Sequence, residues 1–143
     1  MVQKAVKHLS AFLALCSTPK ISIATSYEDW VAVRNCYVQS FHRYPLYKYI
    51  VTDDAVREKF LQSYLDANYD VTVKSGKGIL LKMVMQQTNT NENKEKIAGG
   101  ILFVPPAEDG YGWAIGSDEP YWRAYERYNL PQISPEGYER VKR

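Results

Sequence analysis

The chain has 143 residues, 45% of them hydrophobic and 24% charged, which is typical of one globular domain able to bury a core. Lysine and arginine total 18 against 16 acidic residues, and a formal net charge of +2 is too small for a general nucleic-acid or anionic-membrane footprint. The two cysteines have no ligand-spaced companions, so the sequence implies neither a disulfide framework nor a metal site and favours the cytoplasm or nucleus.

Residues 1–20 are predicted to be an N-terminal extension, and residues 21–143 the domain proper. The extension is basic, and its apolar run at residues 9–16 invites a targeting interpretation. However, the run is far shorter than the roughly 20 residues that span a bilayer, and the extension contains no arginine of the kind a transit peptide carries. A short amphipathic helix is the favoured alternative, and its apolar stripe would be Val6, Leu9, Phe12 and Leu13.

The first elements of the domain are predicted to be a strand and a helix. Residues 21–24 alternate β-branched side chains and predict the strand. Thr25 and Glu28 have the spacing of a capping box, which predicts a helix over residues 28–41 that ends before Pro45. The apolar side chains of this helix recur every three or four residues at Trp30, Val33, Tyr37 and Phe41.

A second helix is predicted to follow Thr52 or Asp53, either of which can cap it. Its buried stripe would consist of Val56, Phe60, Tyr64 and Ala67. The pattern then becomes β-rich, with strands predicted at residues 71–73 and 79–86 around the glycine-punctuated turn 74–78.

Residues 88–96 contain no apolar side chain and are predicted to form a mobile hairpin loop. A strand is expected over residues 97–104, where Gly99 and Gly100 favour a bulge or a close backbone approach. Short helices are expected near residues 119–128 and 135–143, the latter capped by Ser134. The order of strand, helices, antiparallel strands and helices predicts a single α/β (α+β) domain.

Each sequence motif that could take part in catalysis or ligand binding also has a structural explanation that needs no ligand. The basic turn 74–78 could cradle a phosphate, but it lacks the Walker spacing, and a plain turn is favoured. The paired acids single out no general base, and no Gly-x-Ser-x-Gly elbow frames a nucleophile. His8 and His42 have no ligand-spaced companions. Aromatic residues at helical spacing over 121–128 could form a stacking surface, although packing on the domain is favoured.

Four segments occur in an order that a known family shares. They are the strand 21–24, the helix end Ser40-Phe41-His42-Arg43-Tyr44-Pro45-Leu46, the helix carrying Arg57 and Phe60, and the strand Ile97-Ala98-Gly99-Gly100-Ile101-Leu102-Phe103-Val104-Pro105-Pro106. This ordered set resembles the N-terminal half of GNAT-superfamily N-acetyltransferases, in which an Ala-Phe-x-x-x-Pro helix end precedes an Ala-Gly-x-x-Leu-Trp-x-Pro-Pro strand. The similarity covers residues 21–106.

The resemblance implies an incomplete GNAT-like mixed sheet, mostly antiparallel in this portion, with two N-terminal helices. It implies acetyl transfer from acetyl-CoA to an amine-bearing small molecule or peptide. The residues that it places around the acceptor pocket are Phe41, Tyr44, Leu46, Gly99, Gly100 and Phe103. It identifies neither catalytic nor cofactor-binding residues: the family's Gln/Arg-x-x-Gly-x-Gly/Ala turn is not found, and the string 73–78 has valine in its first position and precedes the Pro-Pro strand.

Two functional hypotheses stay open. The chain is either a truncated or divergent acetyltransferase, or a noncatalytic binding or regulatory module that retains half of that fold. Both predict a homo-oligomer or a completing partner chain, because an open sheet edge is a liability when left unpaired. Neither predicts a nucleic-acid or membrane partner.

Overall fold

The structure is a computed structural model that describes residues 19–87, 94–108 and 115–143. Its elements are β1 (Lys20–Ile23), α1 (Tyr27–His42), α2 (Pro45–Ile50), α3 (Asp54–Tyr69), a π-helical turn (Asp70–Lys74), β2 (Ile79–Gln87), β3 (Lys94–Phe103), α4 (Glu119–Arg127), α5 (Leu130–Ile133) and α6 (Pro135–Val141). The predicted α/β class with antiparallel strands is confirmed. The predicted N-terminal helix lies outside the described residues, and Lys20 of the predicted extension belongs to β1.

The three strands form an antiparallel sheet in the order β1-β2-β3. Helix α1 packs on one face of this sheet, and α3 packs against α1. A first core cluster fills the space between them and contains Trp30, Val33, Val38, Leu61, Leu65 and Leu80. A second cluster joins α3 to the C-terminal helices and includes Phe60, Ala67, Ala124, Tyr125, Leu130 and Tyr138. Both predicted helical stripes therefore face the core.

The start of α1 confirms the predicted helix but shifts its capping box by one residue. Ser26 is the cap, and its hydroxyl accepts the Asp29 amide at 3.1 Å. The Asp29 carboxylate in turn accepts the Thr25 amide at 3.2 Å. Lys82 of β2 also donates to both Asp29 carboxylate oxygens, at 2.7 and 2.8 Å. The cap thus ties α1 to the sheet.

The hydrogen bond from Lys82 is the main cause that lowers the pKa of Asp29. Stabilisation from this carboxylate is fully present above the unfolded-state pKa of about 3.9 and is lost as the pH falls through the lower folded-state pKa. We therefore expect Asp29→Asn to destabilise the protein at pH 7 and to approach the parent's stability as the pH falls through the lowered pKa of Asp29. Urea unfolding at several pH values measures both effects.

The exposed Glu58 provides the control for this pH dependence, since Glu58→Gln removes one negative charge from α3 without removing an ion pair. Its stability should follow that of the parent across the same pH range. A deficit of Asp29→Asn that stayed constant from neutral to acid pH would show that the Asp29–Lys82 contact does not act through charge.

The strand predicted at residues 71–73 is wrong, because Asp70–Lys74 continues α3 as a π-helical turn. The Thr72 hydroxyl donates to the Asn68 carbonyl at 2.6 Å, and the Ser75 hydroxyl donates to the Val71 carbonyl at 2.5 Å. These local bonds, together with burial of Val71 and Thr72, outweigh the β-propensity of the branched side chains. Gly76 then closes the turn at a φ of 77°.

The predicted hairpin loop is wrong for residues 94–96, which belong to β3 and pair with Gln87, Gln86 and Met85. Residues 88–93 lie outside the described ranges. Further along, Met83 pairs with Gly99 and Val84 with Ile97, so β3 bulges by one residue next to Gly99. This bulge confirms the prediction made from the glycine pair.

Two prolines begin helices. Pro45, which was expected to end a helix, also begins α2. Pro135 begins α6, and the Ser134 hydroxyl accepts the Gly137 amide at 3.1 Å, which confirms the predicted cap. Proline suits these positions because the first helical amide has no partner within the helix.

One face of the sheet is apolar and carries no packed element from the described residues. Alternation along the paired strands places seven apolar side chains on this open face, namely Ile21, Ile23, Ile79, Leu81, Met83, Ile101 and Phe103. Ile21 is 70% exposed and Ile101 61% exposed. A contiguous apolar patch of this kind is typical of an interaction surface. No helix within the described ranges has the length and apolarity needed to cross a bilayer.

Candidate functional site

Two of the residues predicted to border the acceptor pocket lie close together on the helix-covered side of the sheet. Phe41 stacks between Tyr37 and Tyr47, with ring centroids 5.3 and 4.9 Å apart. The Tyr37 hydroxyl donates to the Gly100 carbonyl at 2.5 Å. Tyr37 therefore links Phe41 of α1 to Gly100 of β3.

The other four predicted residues lie elsewhere. Gly99 and Phe103 belong to the open face, and Phe103 is 45% exposed. Tyr44 and Leu46 are more than half exposed at the corner between α1 and α2. The structure thus distributes the six residues over both faces of the sheet and one corner. Their contact with a substrate stays a prediction.

Phe103 lines a cavity of about 730 Å³ between the end of β3 and the start of α4, which we call the β3–α4 cavity. Its apolar wall is formed by Leu102, Phe103, Val104 and Ile115. Its polar end consists of Ser117, Asp118 and Tyr121. A mostly apolar cavity with a few converging polar groups is the usual form of a small-molecule site.

Helix α4 positions the polar end of this cavity. Asp118 occupies the cap position of α4, but its side chain makes no capping hydrogen bond. Within the described ranges, neither the Asp118 carboxylate nor the Tyr121 hydroxyl has a hydrogen-bond or ion-pair partner. Burial raises the pKa of Tyr121, with smaller contributions from Tyr64 and Asp118, so the hydroxyl remains a donor at neutral pH. Both groups are free to meet a ligand.

A carboxylate without a partner among the described residues, beside an apolar wall, favours a cationic ligand with an apolar body. The carboxylate can accept charge-assisted hydrogen bonds from an ammonium group, while Leu102 and Phe103 contact the body. The described residues contain no group of three or more His, Cys, Asp or Glu side chains placed to hold a metal ion.

No family model matches this chain. Searches of curated proteins and of solved structures also give no match. The GNAT resemblance therefore rests on the sequence motifs alone.

The structure assigns ordinary roles to two of the sequence motifs. The amides of the 74–78 turn are used internally, because Gly76 donates to the Val73 carbonyl and both Lys77 and Gly78 donate to the Thr72 carbonyl. These amides cannot cradle a phosphate, which confirms the turn interpretation.

Packing also explains the central aromatic residue of α4. Tyr125 is 5% exposed and stacks on Tyr64, with ring centroids 5.2 Å apart. The packing interpretation is confirmed for Tyr125, whereas Tyr121 of the same helix lines the β3–α4 cavity.

His42 also has a structural contact, because its Nε2 lies 3.0 Å from the Asp54 carbonyl oxygen.

Proposed function

We propose that the chain is the acceptor-substrate side of a GNAT-like N-acetyltransferase, which transfers the acetyl group of acetyl-CoA to an amine in the cytoplasm or nucleus. The β3–α4 cavity carries this proposal, because it combines a carboxylate that no described residue pairs with and an apolar wall beside Phe103. The order of strand, helices and antiparallel strand pair agrees with the portion of the fold that the resemblance implies.

The acceptor is an amine attached to an apolar body, either a small molecule or a peptide side chain. Its ammonium group lies against the Asp118 carboxylate at the polar end of the cavity. Its body contacts Leu102 and Phe103 on the opposite wall. The nitrogen must lose a proton before it attacks the thioester carbonyl, and the C–S bond then breaks to release CoA.

Acetyl-CoA binding requires polypeptide beyond the described elements. The family's Gln/Arg-x-x-Gly-x-Gly/Ala turn does not occur in this sequence, and the amides of residues 76–78 are already used. The open face, with Ile21, Ile23 and Ile101 exposed, is a surface on which a cofactor-binding segment would bury apolar area. A completing chain or a further part of the same protein would supply that segment.

Calorimetric titration with acetyl-CoA tests this proposal, using the 143-residue chain and any longer protein that its transcript encodes in frame after Arg143. Saturable one-to-one binding, followed by acetylation of a member of an amine library, would support it. No binding at millimolar acetyl-CoA by either form, alone or with a completing chain, would contradict it.

The acceptor site is tested separately, by titrating phenethylamine at neutral pH and following backbone amide shifts by NMR. We expect Asp118→Asn to weaken binding by about 5-fold, the modest effect appropriate to an exposed charge pair. Glu139→Gln is the matched control, because it removes one negative charge from α6 far from the cavity in sequence. Equal weakening by both variants would show general charge attraction rather than a site at Asp118.

The open face supports one alternative, a noncatalytic module that binds a partner chain through Ile21, Ile23, Ile79, Ile101 and Phe103. This alternative predicts no acetyl-CoA binding by any form of the protein. It also predicts that Ile101→Glu abolishes association with the partner while leaving amine binding at Asp118 unchanged, because Ile101 does not line the β3–α4 cavity.

A further inference from the structure

A second cavity, of about 480 Å³, lies between the π-helical turn after α3 and helix α4, and we call it the basic cleft. Four basic side chains line it, namely Lys74, Lys77, Arg123 and Arg127, against the two acids Asp70 and Glu119. The cleft therefore carries a formal excess of two positive charges.

Ion pairs hold the basic side chains at the mouth of the cleft. The Asp70 carboxylate, only 13% exposed, binds Lys74 Nζ at 2.9 Å through one oxygen and Arg127 through the other. Glu119 binds Arg123 one helical turn away. The side chains of Lys74, Arg123 and Arg127 are 63–77% exposed. Since a guanidinium carries five N–H donors, each arginine retains donors that can face a ligand.

The bottom of the cleft is apolar, because Val71, Ile115 and Ala124 line it between the charged groups. The turn amides are internally bonded, so recognition must come from side chains. The hydrogen bond to Asp70 raises the pKa of Lys74, which keeps this amine charged at neutral pH.

We propose that the basic cleft binds a phosphomonoester, with the phosphate between Lys74, Lys77 and the two arginines and the organic body on the apolar bottom. A phosphomonoester carries nearly two negative charges at neutral pH and three acceptor oxygens, which suits several cations at once. This site borders the β3–α4 cavity, with which it shares Ile115, but it does not depend on the proposed function.

Titration of the chain with phenyl phosphate, followed by amide NMR, tests the proposal. We expect saturable shifts confined to residues 70–77 and 119–127. The double variant Lys77→Gln/Arg123→Gln should weaken binding by roughly 10-fold, since it removes two charge-assisted contacts. Lys48→Gln/Lys59→Gln removes the same charge from exposed positions on α2 and α3 and should leave the affinity unchanged.

Absence of saturation at tens of millimolar phenyl phosphate would overturn the proposal, and so would equal weakening by both double variants. The source of the phosphate is resolved by comparing soluble inositol phosphate with phosphatidylcholine vesicles that contain a phosphatidylinositol phosphate. Binding of the soluble ligand indicates a free phosphomonoester, and binding of the vesicles alone indicates a lipid headgroup. In both experiments, the double variant Lys77→Gln/Arg123→Gln should weaken binding. Unchanged binding would contradict the proposal that the ligand occupies the basic cleft.

Discussion

Arg57→Met should lower the free energy of unfolding by about 3–5 kcal/mol, a large part of the stability of an ordinary domain. The Arg57 side chain is 2% exposed and donates to three main-chain carbonyls: Nε to Val51 at 2.6 Å, Nη1 to His42 at 3.1 Å and Nη2 to Thr52 at 2.7 Å. Methionine fills similar space but donates nothing. The buried Val51 carbonyl and the partly buried carbonyls of His42 and Thr52 would then lose their donors.

Two further variants separate the hydrogen bonds from the charge of Arg57. Arg57→Lys keeps the charge but cannot span three carbonyls with one amine, so its stability should fall between that of the parent and that of Arg57→Met. Asp54→Asn removes the exposed carboxylate that pairs with Arg57 and should leave stability close to the parent's. Urea unfolding of the series measures all three. If Asp54→Asn lowered the free energy of unfolding as much as Arg57→Met, the ion pair, and not the hydrogen bonds to the carbonyls, would be what stabilises the segment between α1 and α3.

The role of Arg57 illustrates what the sequence could not reveal. The sequence places Arg57 on a helix and in the motif set that resembles the GNAT family. Its carbonyl partners lie at residue 42 and at residues 51 and 52, and only the turn from α1 into α2 brings them to one side chain. From sequence alone, a charged residue on a helix is predicted to face solvent, because its distant hydrogen-bond acceptors are not known.

Local signals predicted much of the fold. The caps of α3 and α6 are Asp53 and Ser134, as predicted, and the cap of α1 is Ser26, one residue after the predicted Thr25. Each bonds to amides two or three residues later. Such contacts lie within a single helical turn, so the sequence alone contains them. The periodic stripes of α1 and α3 were predictable for the same reason.

The wrong prediction for residues 94–96 involves a longer-range effect, whereas local hydrogen bonds overturn the strand predicted at residues 71–73. Residues 94–96 are polar, but their backbone completes a ladder with β2, which periodicity in β3 alone does not reveal.

Both candidate sites also depend on distant segments. In the sequence, Asp118 is a member of one of several acid pairs. Only the structure distinguishes it, because the start of α4 lies beside the apolar end of β3 and places Asp118 in the cavity between them. The basic cleft likewise joins residues 70–77 to residues 119–127.

Gly100→Ala should lower the free energy of unfolding by about 1–3 kcal/mol, whereas Gly99→Ala should be neutral or slightly stabilising. A Cβ on Gly100 would lie 2.6 Å from the Leu81 carbonyl oxygen and 2.7 Å from Val33 Cγ1. Neither atom can move away easily, because Leu81 O belongs to the backbone of β2 and Val33 of α1 is fully buried against the sheet. A Cβ on Gly99 would meet only Met83 Cε, at 3.8 Å.

Comparing the two glycine variants distinguishes a packing role from a substrate-binding role, because the resemblance places both Gly99 and Gly100 beside the acceptor pocket. Thermal unfolding of the two variants should show a lower midpoint for Gly100→Ala alone. Equal midpoints would contradict the close approach of α1 to β3. Because Gly99→Ala is expected to fold like the parent, any loss of phenethylamine binding in that variant would report on the acceptor site. The same loss in Gly100→Ala would carry no such meaning, because α1 would have to shift away from β3 and could disturb the strand end that lines the cavity.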